Sequence, residues 1–201
     1  MVIAAGVAGG AARATQPAAA PAAAPAEFRV RLDTTKGAIV IAVHRAWAPQ
    51  GADRFHQLVT SRYFDDSRFF RVVKGQWAQF GIAGDPALAT AWRTRAIPDD
   101  PPSQSNVRGR VAFAFKDPGG RTTQIYISLR DNSYQDAQGF VPFGEVVEGM
   151  QVADALNSEY GENAGGGIRA GRQQPLFDGG NAWLDREYPR LDRLLHAAVM
   201  R

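Results

Sequence analysis

The chain has no cysteine, and only three histidines and three methionines among its 201 residues. Without thiols there is no disulfide framework, no thiol nucleophile, no zinc–thiolate or iron–sulfur centre and no thiol redox chemistry. The histidines, His44, His56 and His196, are not paired at metal-ligand spacing. Each therefore reads as structural, and no metal site is expected. No apolar run reaches the ~18 residues that a spanning helix requires. Charge of one sign is scarce too, since 23 Lys and Arg face 20 Asp and Glu for a net charge of +3. That is far from the clustered basic excess of a dedicated nucleic-acid binder, and the scattered Arg93, Arg95, Arg108 and Arg110 do not supply one. A G-x-S-x-G elbow, a Walker loop and a G-x-G-x-x-G turn after a strand are all missing, so no nucleophile or cofactor announces itself. The acidic pairs Asp65-Asp66 and Asp99-Asp100 stand in turn or proline-rich sequence and read as solvated loop charges, not as a metal or glycosidase pair.

What is there suits a globular protein with one sizeable core, at 45% apolar and 21% charged residues. Twenty-one glycines and twelve prolines imply many turns and short strands. The first 26 residues stand apart from the fold. Val2 to Ala12 is a small-residue apolar run, and Ala12-Arg13-Ala14 has the A-x-A form that signal peptidase accepts. A positive n-region is missing and the apolar run is weak, so the alternatives are a signal that starts further upstream and an unstructured tail. A processed signal is the expectation, which places the mature chain in the periplasm or outside the cell; without processing it stays in the cytoplasm. Pro17, Pro21 and Pro25 among alanines then make an extended spacer with little to pack, taken as disordered through residue 26.

Order is expected from Glu27, with residues 161–201 as a C-terminal extension of one domain. Phe28, Val30 and Leu32 alternate with Arg29, Arg31 and Asp33, Thr35-Lys36-Gly37 turns, and Ala38 to Val43 completes a hairpin. Ala48-Pro49 opens a helix with Ala52, Phe55, Leu58 and Val59 on one face. A second hairpin runs from Arg68 to Val73 and from Gln76 to Phe80 about Lys74-Gly75. Asp85 to Asn106 is a long excursion that wraps or roofs a site. Strands follow at Arg110 to Phe115, Gln124 to Leu129 and Val141 to Val147, with a second helix from Gly149 to Asn157. Gly165-Gly166-Gly167 reads as loop, and Asn181 to Glu187 as a short helical turn. Leu194 to Met200 fits either a helix or a short buried strand. Strands separated by turns, with two good helices, suggest an antiparallel sheet closed into a barrel.

Phe69-Phe70-Arg71-Val72-Val73-Lys74-Gly75, running on through Gln79 to Gly84-Asp85, resembles the signature hairpin of the cyclophilin family of peptidyl-prolyl isomerases. Ala48-Pro49 with Phe55, Leu58 and Tyr63-Phe64-Asp65 is similar to that family's first helix and the loop after it. Gly109 to Phe115 and Thr122-Thr123-Gln124-Ile125-Tyr126-Ile127 resemble the two strands of its groove wall. Gly139-Phe140-Val141-Pro142-Phe143-Gly144-Glu145-Val146-Val147-Glu148-Gly149-Met150 matches a strand and helix start near its end. Gln79 to Pro86 and Gly180 to Asp192 resemble a bacterial branch. The resemblance implies a mainly β fold, a closed antiparallel eight-stranded barrel capped by two helices, with Leu194 to Met200 closing it as a strand.

The implied activity is rotation of X–Pro amide bonds in assistance of protein folding, which requires no cofactor. The barrier is about 18–20 kcal/mol because amide resonance is lost, and no bond is cleaved. By resemblance Arg71 is catalytic, its guanidinium donating to the prolyl nitrogen as that lone pair is freed, a task for which lysine is a poor replacement. Gln79, with Gln124, orients Arg71 or bonds the substrate backbone. The proline socket falls on Gln76, Trp77, Tyr126 and Gln135, with Ala114 and Phe115 along the wall, Phe140 where other members often carry histidine, and Tyr134 at the rim. Glutamine at 76 and 135 departs from the usual large apolar residues, and Lys74 from proline; each lost apolar contact costs on the order of 1–2 kcal/mol of binding. Proline-containing polypeptides are the implied partners and cyclosporin-type compounds the implied inhibitor class, with a monomer expected and no nucleic-acid partner. The alternatives are a cyclophilin-like peptide-binding or chaperone module with weak or no turnover, and a barrel that carries a small ligand in a hollow interior.

Overall fold

The computed structural model describes residues 23–164 and 173–201, so the signal-like run and the glycine cluster lie outside the described residues. Hairpin β1 (Glu27–Thr34) and β2 (Gly37–His44) forms as its alternation predicts, with Phe28, Val30 and Leu32 buried and the arginines between them exposed. Order starts earlier than Glu27. Ala24 is buried against the core and its amide donates to Asp53 Oδ1 over 2.9 Å, so the last part of the spacer belongs to the fold.

Helix α1 (Pro49–Thr60) buries Ala52, Phe55, Leu58 and Val59 as expected. Ala48, at its N-cap, has no side-chain oxygen to offer the first amides. Asp100 replaces it from the excursion, accepting from the Gln50 and Gly51 amides at 2.9 Å each, and also receives Arg121 Nη1 at 2.8 Å. Asp100 is therefore buried, a correction to its reading as a solvated charge.

The excursion contains a helix that the sequence reading missed, α2 (Pro86–Arg93), with Asp85 capping the Ala87 amide at 2.8 Å and Pro86 in the first turn. After β3 (Ser67–Arg68), β4 (Arg71–Val73) and β5 (Trp77–Phe80) come β6 (Arg110–Phe113), β7 (Ile125–Ser128), a 3-10 turn over Ser133–Gln138, β8 (Pro142–Glu148), α3 (Met150–Asp154), α4 (Gln174–Glu187) and β9 (Arg193–Val199). The second helix is only the five residues of α3. Asn181 to Glu187, read as one turn, is the second half of α4, which is interrupted at Gly180 by a left-handed φ of 52°. A side chain there would meet the Gly84 carbonyl at 2.2 Å, and the Asn181 amide donates to that same carbonyl over 2.9 Å, seating α4 beside α2.

Among the described residues the strands make one antiparallel sheet of nine, in the order β3-β9-β1-β2-β8-β6-β7-β5-β4. This corrects the eight-stranded closed barrel. The difference arises in one run: Ser67 to Val73 is broken at the buried Phe69-Phe70, so that β3 pairs with β9 and β4 with β5. The curled sheet's two edges thus lie on one continuous chain segment and no ladder joins them. Its interior is filled by side chains, Phe55, Phe64, Phe69, Phe80, Phe113 and Phe143 among them, with ring centroids 4.9–5.9 Å apart. A filled interior removes the ligand-carrying alternative. The four scattered arginines are likewise occupied: Arg93 with Gln174, Arg95 over Trp92, Arg108 with Asp154 and Arg110 with Glu145.

Candidate active site

Strand alternation builds the site on the outside of the sheet. On β5, β6 and β7, Ala78, Phe80, Val111, Phe113, Ile125 and Ile127 enter the interior core, while Trp77, Ala112 and Tyr126 form a second apolar cluster on the opposite face. The ladders put Arg71, Gln79, Tyr126 and Ala112 directly opposite one another across four strands. Hairpin register therefore sets Arg71 beside Gln79 before any side-chain contact is considered.

Arg71 is buried, at 9% exposure. Its Nη1 donates to Gln79 Oε1 at 3.0 Å, its Nη2 to Glu162 Oε1 at 2.7 Å, and its guanidinium carbon lies 4.7 Å from the centre of the Trp77 ring. Gln79 Nε2 donates to Gln124 Oε1 at 2.9 Å, and Gln124 Nε2 to Gln173 Oε1 at 2.9 Å. A row of polar groups thus holds Arg71 from the sheet side. Among the described residues, Arg71 Nε, Trp77 Nε1 and Gln135 Oε1 are buried without hydrogen-bond partners. Orphaned polar atoms of this kind are expensive unless something else satisfies them.

They border a groove of about 930 Å³. One wall is aromatic: Phe115 stacks on Phe140 at 4.5 Å, and Tyr126 meets Phe140 edge-on at 5.8 Å. The Tyr126 hydroxyl donates to Asn106 Oδ1 at 2.7 Å, and Asn106 Nδ2 donates to Asp136 Oδ1 and to the Phe140 carbonyl, each at 2.7 Å. Burial, together with the Asp136 charge, pushes the Tyr126 phenol well above its usual range, so it stays a neutral donor. Burial opposes ionisation of Asp136 itself, but hydrogen bonds from Ser105 and Asn106 outweigh it and hold that carboxyl below the usual range.

Of the residues singled out in the sequence, Arg71, Trp77, Gln79, Ala114, Phe115, Gln124, Tyr126, Tyr134, Gln135 and Phe140 all line this groove. Gln76 does not. It stands one residue before β5, at the close of the hairpin turn, where its carbonyl receives the Leu129 amide and Asn132 Nδ2. Arg93, Lys116, Gln173 and Phe177 line the groove without having been singled out in the sequence as site residues, and Glu162, not singled out either, meets Arg71. Gln173 and Phe177 reach the groove because the extension folds back along α2. Among the described residues no cluster of His, Cys, Asp and Glu has the form of a metal site.

The family model described as cyclophilin type peptidyl-prolyl cis-trans isomerase/CLD matches residues 29–173. Peptidyl-prolyl cis-trans isomerase A of Dickeya dadantii is 29% identical over 141 residues, covering 68% of this chain and 74% of the relative. A peptidyl-prolyl cis-trans isomerase of Acinetobacter baylyi is 28% identical over 136 residues, 65% of this chain and 72% of the relative. Among solved structures, a Cryptosporidium parvum cyclophilin type peptidyl-prolyl cis-trans isomerase superposes with a TM-score of 0.62 at 16% identity, covering 87% of this chain and 98% of its own. That protein has also been crystallised in the presence of the dipeptide Ala-Pro, and this form gives a TM-score of 0.61 at 17% identity over 86% of this chain and 99% of its own.

Proposed function

This chain belongs to the cyclophilin-type peptidyl-prolyl cis-trans isomerase family, and from that premise we propose that the groove outside β4, β5, β7 and β6 is where it rotates X–Pro amides, with Arg71 as the catalytic residue. The observation that carries the assignment is the state of Arg71: buried, held by Gln79, lying over Trp77, and with a donor that lacks a partner among the described residues. As the amide twists, the prolyl nitrogen becomes pyramidal and its lone pair, shared with the carbonyl in the planar ground state, is localised on the nitrogen. A permanently charged donor fixed at that spot binds the twisted form better than either planar isomer, which is what lowers a barrier without covalent chemistry. Trp77, Tyr126, Phe115 and Phe140 supply the apolar faces against which a prolyl ring settles. Gln79 and Gln124 fix the guanidinium from behind.

Proline-containing segments of other polypeptides are the proposed substrates, taken by a monomer, with cyclosporin-type compounds competing for the same groove. The A-x-A sequence at Ala12-Arg13-Ala14 favours use outside the cytoplasm, and N-terminal sequencing of the protein recovered from its host tests this. The deciding experiment follows cis–trans exchange of acetyl-Ala-Ala-Pro-Phe-amide by NMR with wild type, Arg71→Lys and Arg71→Ala. Wild type should accelerate exchange, and both variants should fall at least about tenfold with unchanged circular dichroism. Undiminished exchange with Arg71→Ala overturns the assignment. Peptide binding by wild type without accelerated exchange makes the protein a binding module.

A further inference from the structure

Arg71 has two oxygen partners of different origin. Gln79 belongs to the sheet and is fixed by register. Glu162 lies 91 residues further along, beyond α3, and its Oε1 accepts from Arg71 Nη2 at 2.7 Å. With Nη1 on Gln79 and Nε, the donor without a partner among the described residues, left for the prolyl nitrogen, Nη2 is the donor that can meet a peptide carbonyl, and Glu162 holds it. We propose that Glu162 is an intramolecular competitor for the substrate: its carboxylate occupies the donor that a peptide carbonyl needs, and so sets the affinity for X–Pro peptides. This inference rests on the reading of Arg71 as catalytic.

The physical case has three parts. First, a carboxylate is a stronger acceptor for guanidinium than a neutral carbonyl is, with a charge-assisted bond roughly twice as strong, so a peptide cannot ignore the carboxylate. Second, the pair lies partly in water, with side-chain exposures of 11% for Arg71 and 37% for Glu162. Such pairs are worth little net, so displacement is a modest toll and the site remains usable. Third, a guanidinium already neutralised by a carboxylate presents a weaker field to the developing lone pair, so the productive complex is the one in which Glu162 has let go. A purely structural role fits poorly, since Gln79 and Trp77 already position the Arg71 head.

The test uses the same neutral peptide, acetyl-Ala-Ala-Pro-Phe-amide, with wild type, Glu162→Gln, Glu162→Ala, Arg71→Ala and the double variant Arg71→Ala with Glu162→Gln. Removing the carboxylate should lower KM and peptide Kd about two- to fivefold, the size expected of a partly exposed pair, with kcat unchanged or raised. Raising salt should lower KM for wild type, because the internal pair is screened, and should leave that of Glu162→Gln unmoved. In the Arg71→Ala background, Glu162→Gln should not change the peptide Kd, as a double-mutant cycle requires of an effect transmitted through Arg71. An unchanged KM, a fall in kcat, or an affinity gain that persists without Arg71 overturns the proposal. If Arg71→Ala by itself retains full turnover, it is the assignment of the catalytic residue that fails, so the two failures are distinguishable.

Discussion

Arg71 and Gln79 are cross-strand partners in the β4–β5 hairpin, and the 3.0 Å bond from Arg71 Nη1 to Gln79 Oε1 makes a backbone register responsible for the direction of the Arg71 guanidinium, the charge proposed to act on the amide. Gln79 is itself nearly inaccessible at 2% exposure, and its amide nitrogen is spent on Gln124. On the proposed function it acts through Arg71, as a positioning residue. Replacing it with leucine removes the acceptor but keeps the volume, and a hydrogen bond to a charged group is worth about 1.5–3 kcal/mol. Gln79→Leu should therefore lose roughly tenfold to a hundredfold in kcat/KM, mainly in kcat. Gln79→Glu keeps an acceptor and should lose less, which a loss through packing alone does not explain.

Trp77 offers two things at once, a ring 4.7 Å beneath the Arg71 guanidinium and an apolar face in the groove. Trp77→Phe retains a smaller ring, and weakening a desolvated cation–π contact should cost about threefold to tenfold in kcat/KM. Trp77→Ala should raise KM more steeply and also lower the urea midpoint, since deleting a buried aromatic costs about 3–5 kcal/mol of stability. A Trp77→Ala protein that stays folded and keeps the wild-type KM is incompatible with a prolyl ring settling on Trp77.

The parts of the fold that follow from short-range alternation were legible in the sequence. Phe28, Val30 and Leu32 announce β1, and Ala52, Phe55, Leu58 and Val59 announce α1, because each pattern directly states which face is buried. The Arg71 row was legible through the resemblance, since register in a short hairpin carries Gln79 wherever Arg71 goes. Asp100 was misread, and Gln76 is not among the residues that line the groove. Burial of Asp100 is decided by helix α1 and Arg121, neither near it in sequence, and Gln76 closes the hairpin turn, its carbonyl receiving the Leu129 amide and Asn132 Nδ2. Glu162 and Gln173 could not be placed at all, because their position depends on how the extension, with Gly180 as its bend, docks on α2.

Among the described residues five carboxyls, Asp53, Asp65, Asp131, Asp136 and Asp185, are held below the ordinary value of 3.8, and they share one pH signature. For Asp53 the largest cause is the hydrogen bond from Arg45, and for Asp185 that from Arg68. For Asp65 and Asp136 burial works the other way and is outweighed by hydrogen bonds, from Arg62, Ala197 and His196 in the first case and from Ser105 and Asn106 in the second. A folded-state pKa below the unfolded one stabilises the protein above the unfolded pKa, and that stability is lost as pH falls through the folded value. The urea midpoint should therefore be level at neutral pH and fall on acidification below about pH 5. Asp185→Asn should remove only a little of that fall, because its carboxylate is 45% exposed and its pairing is screened by water. Asp136 anchors the Asn106–Tyr126 wall, so peptide affinity should decline over the same acid range.

Asp99 and Asp100 are neighbours in sequence with unequal duties, and the contrast gives a direct stability test. Arg121 is 1% exposed and reaches both, Asp99 through Nε at 3.1 Å and Asp100 through Nη1 at 2.8 Å. The Asp99 side chain is 44% exposed, while that of Asp100 is 2% exposed and also holds the first amides of α1. Asp100→Ala leaves a buried guanidinium short of its enclosed counter-charge and two helix amides unpaired, at a cost of about 3–5 kcal/mol in urea unfolding. Asp99→Ala removes a partner that water can replace and should cost no more than about 1 kcal/mol. Because Gly120 and Thr122, the neighbours of Arg121, line the groove, Asp100→Ala should in addition weaken peptide binding at temperatures where the protein is still folded. Equal losses of stability from the two variants would show that Arg121 is anchored by charge in general and not by the enclosed carboxylate at the start of α1.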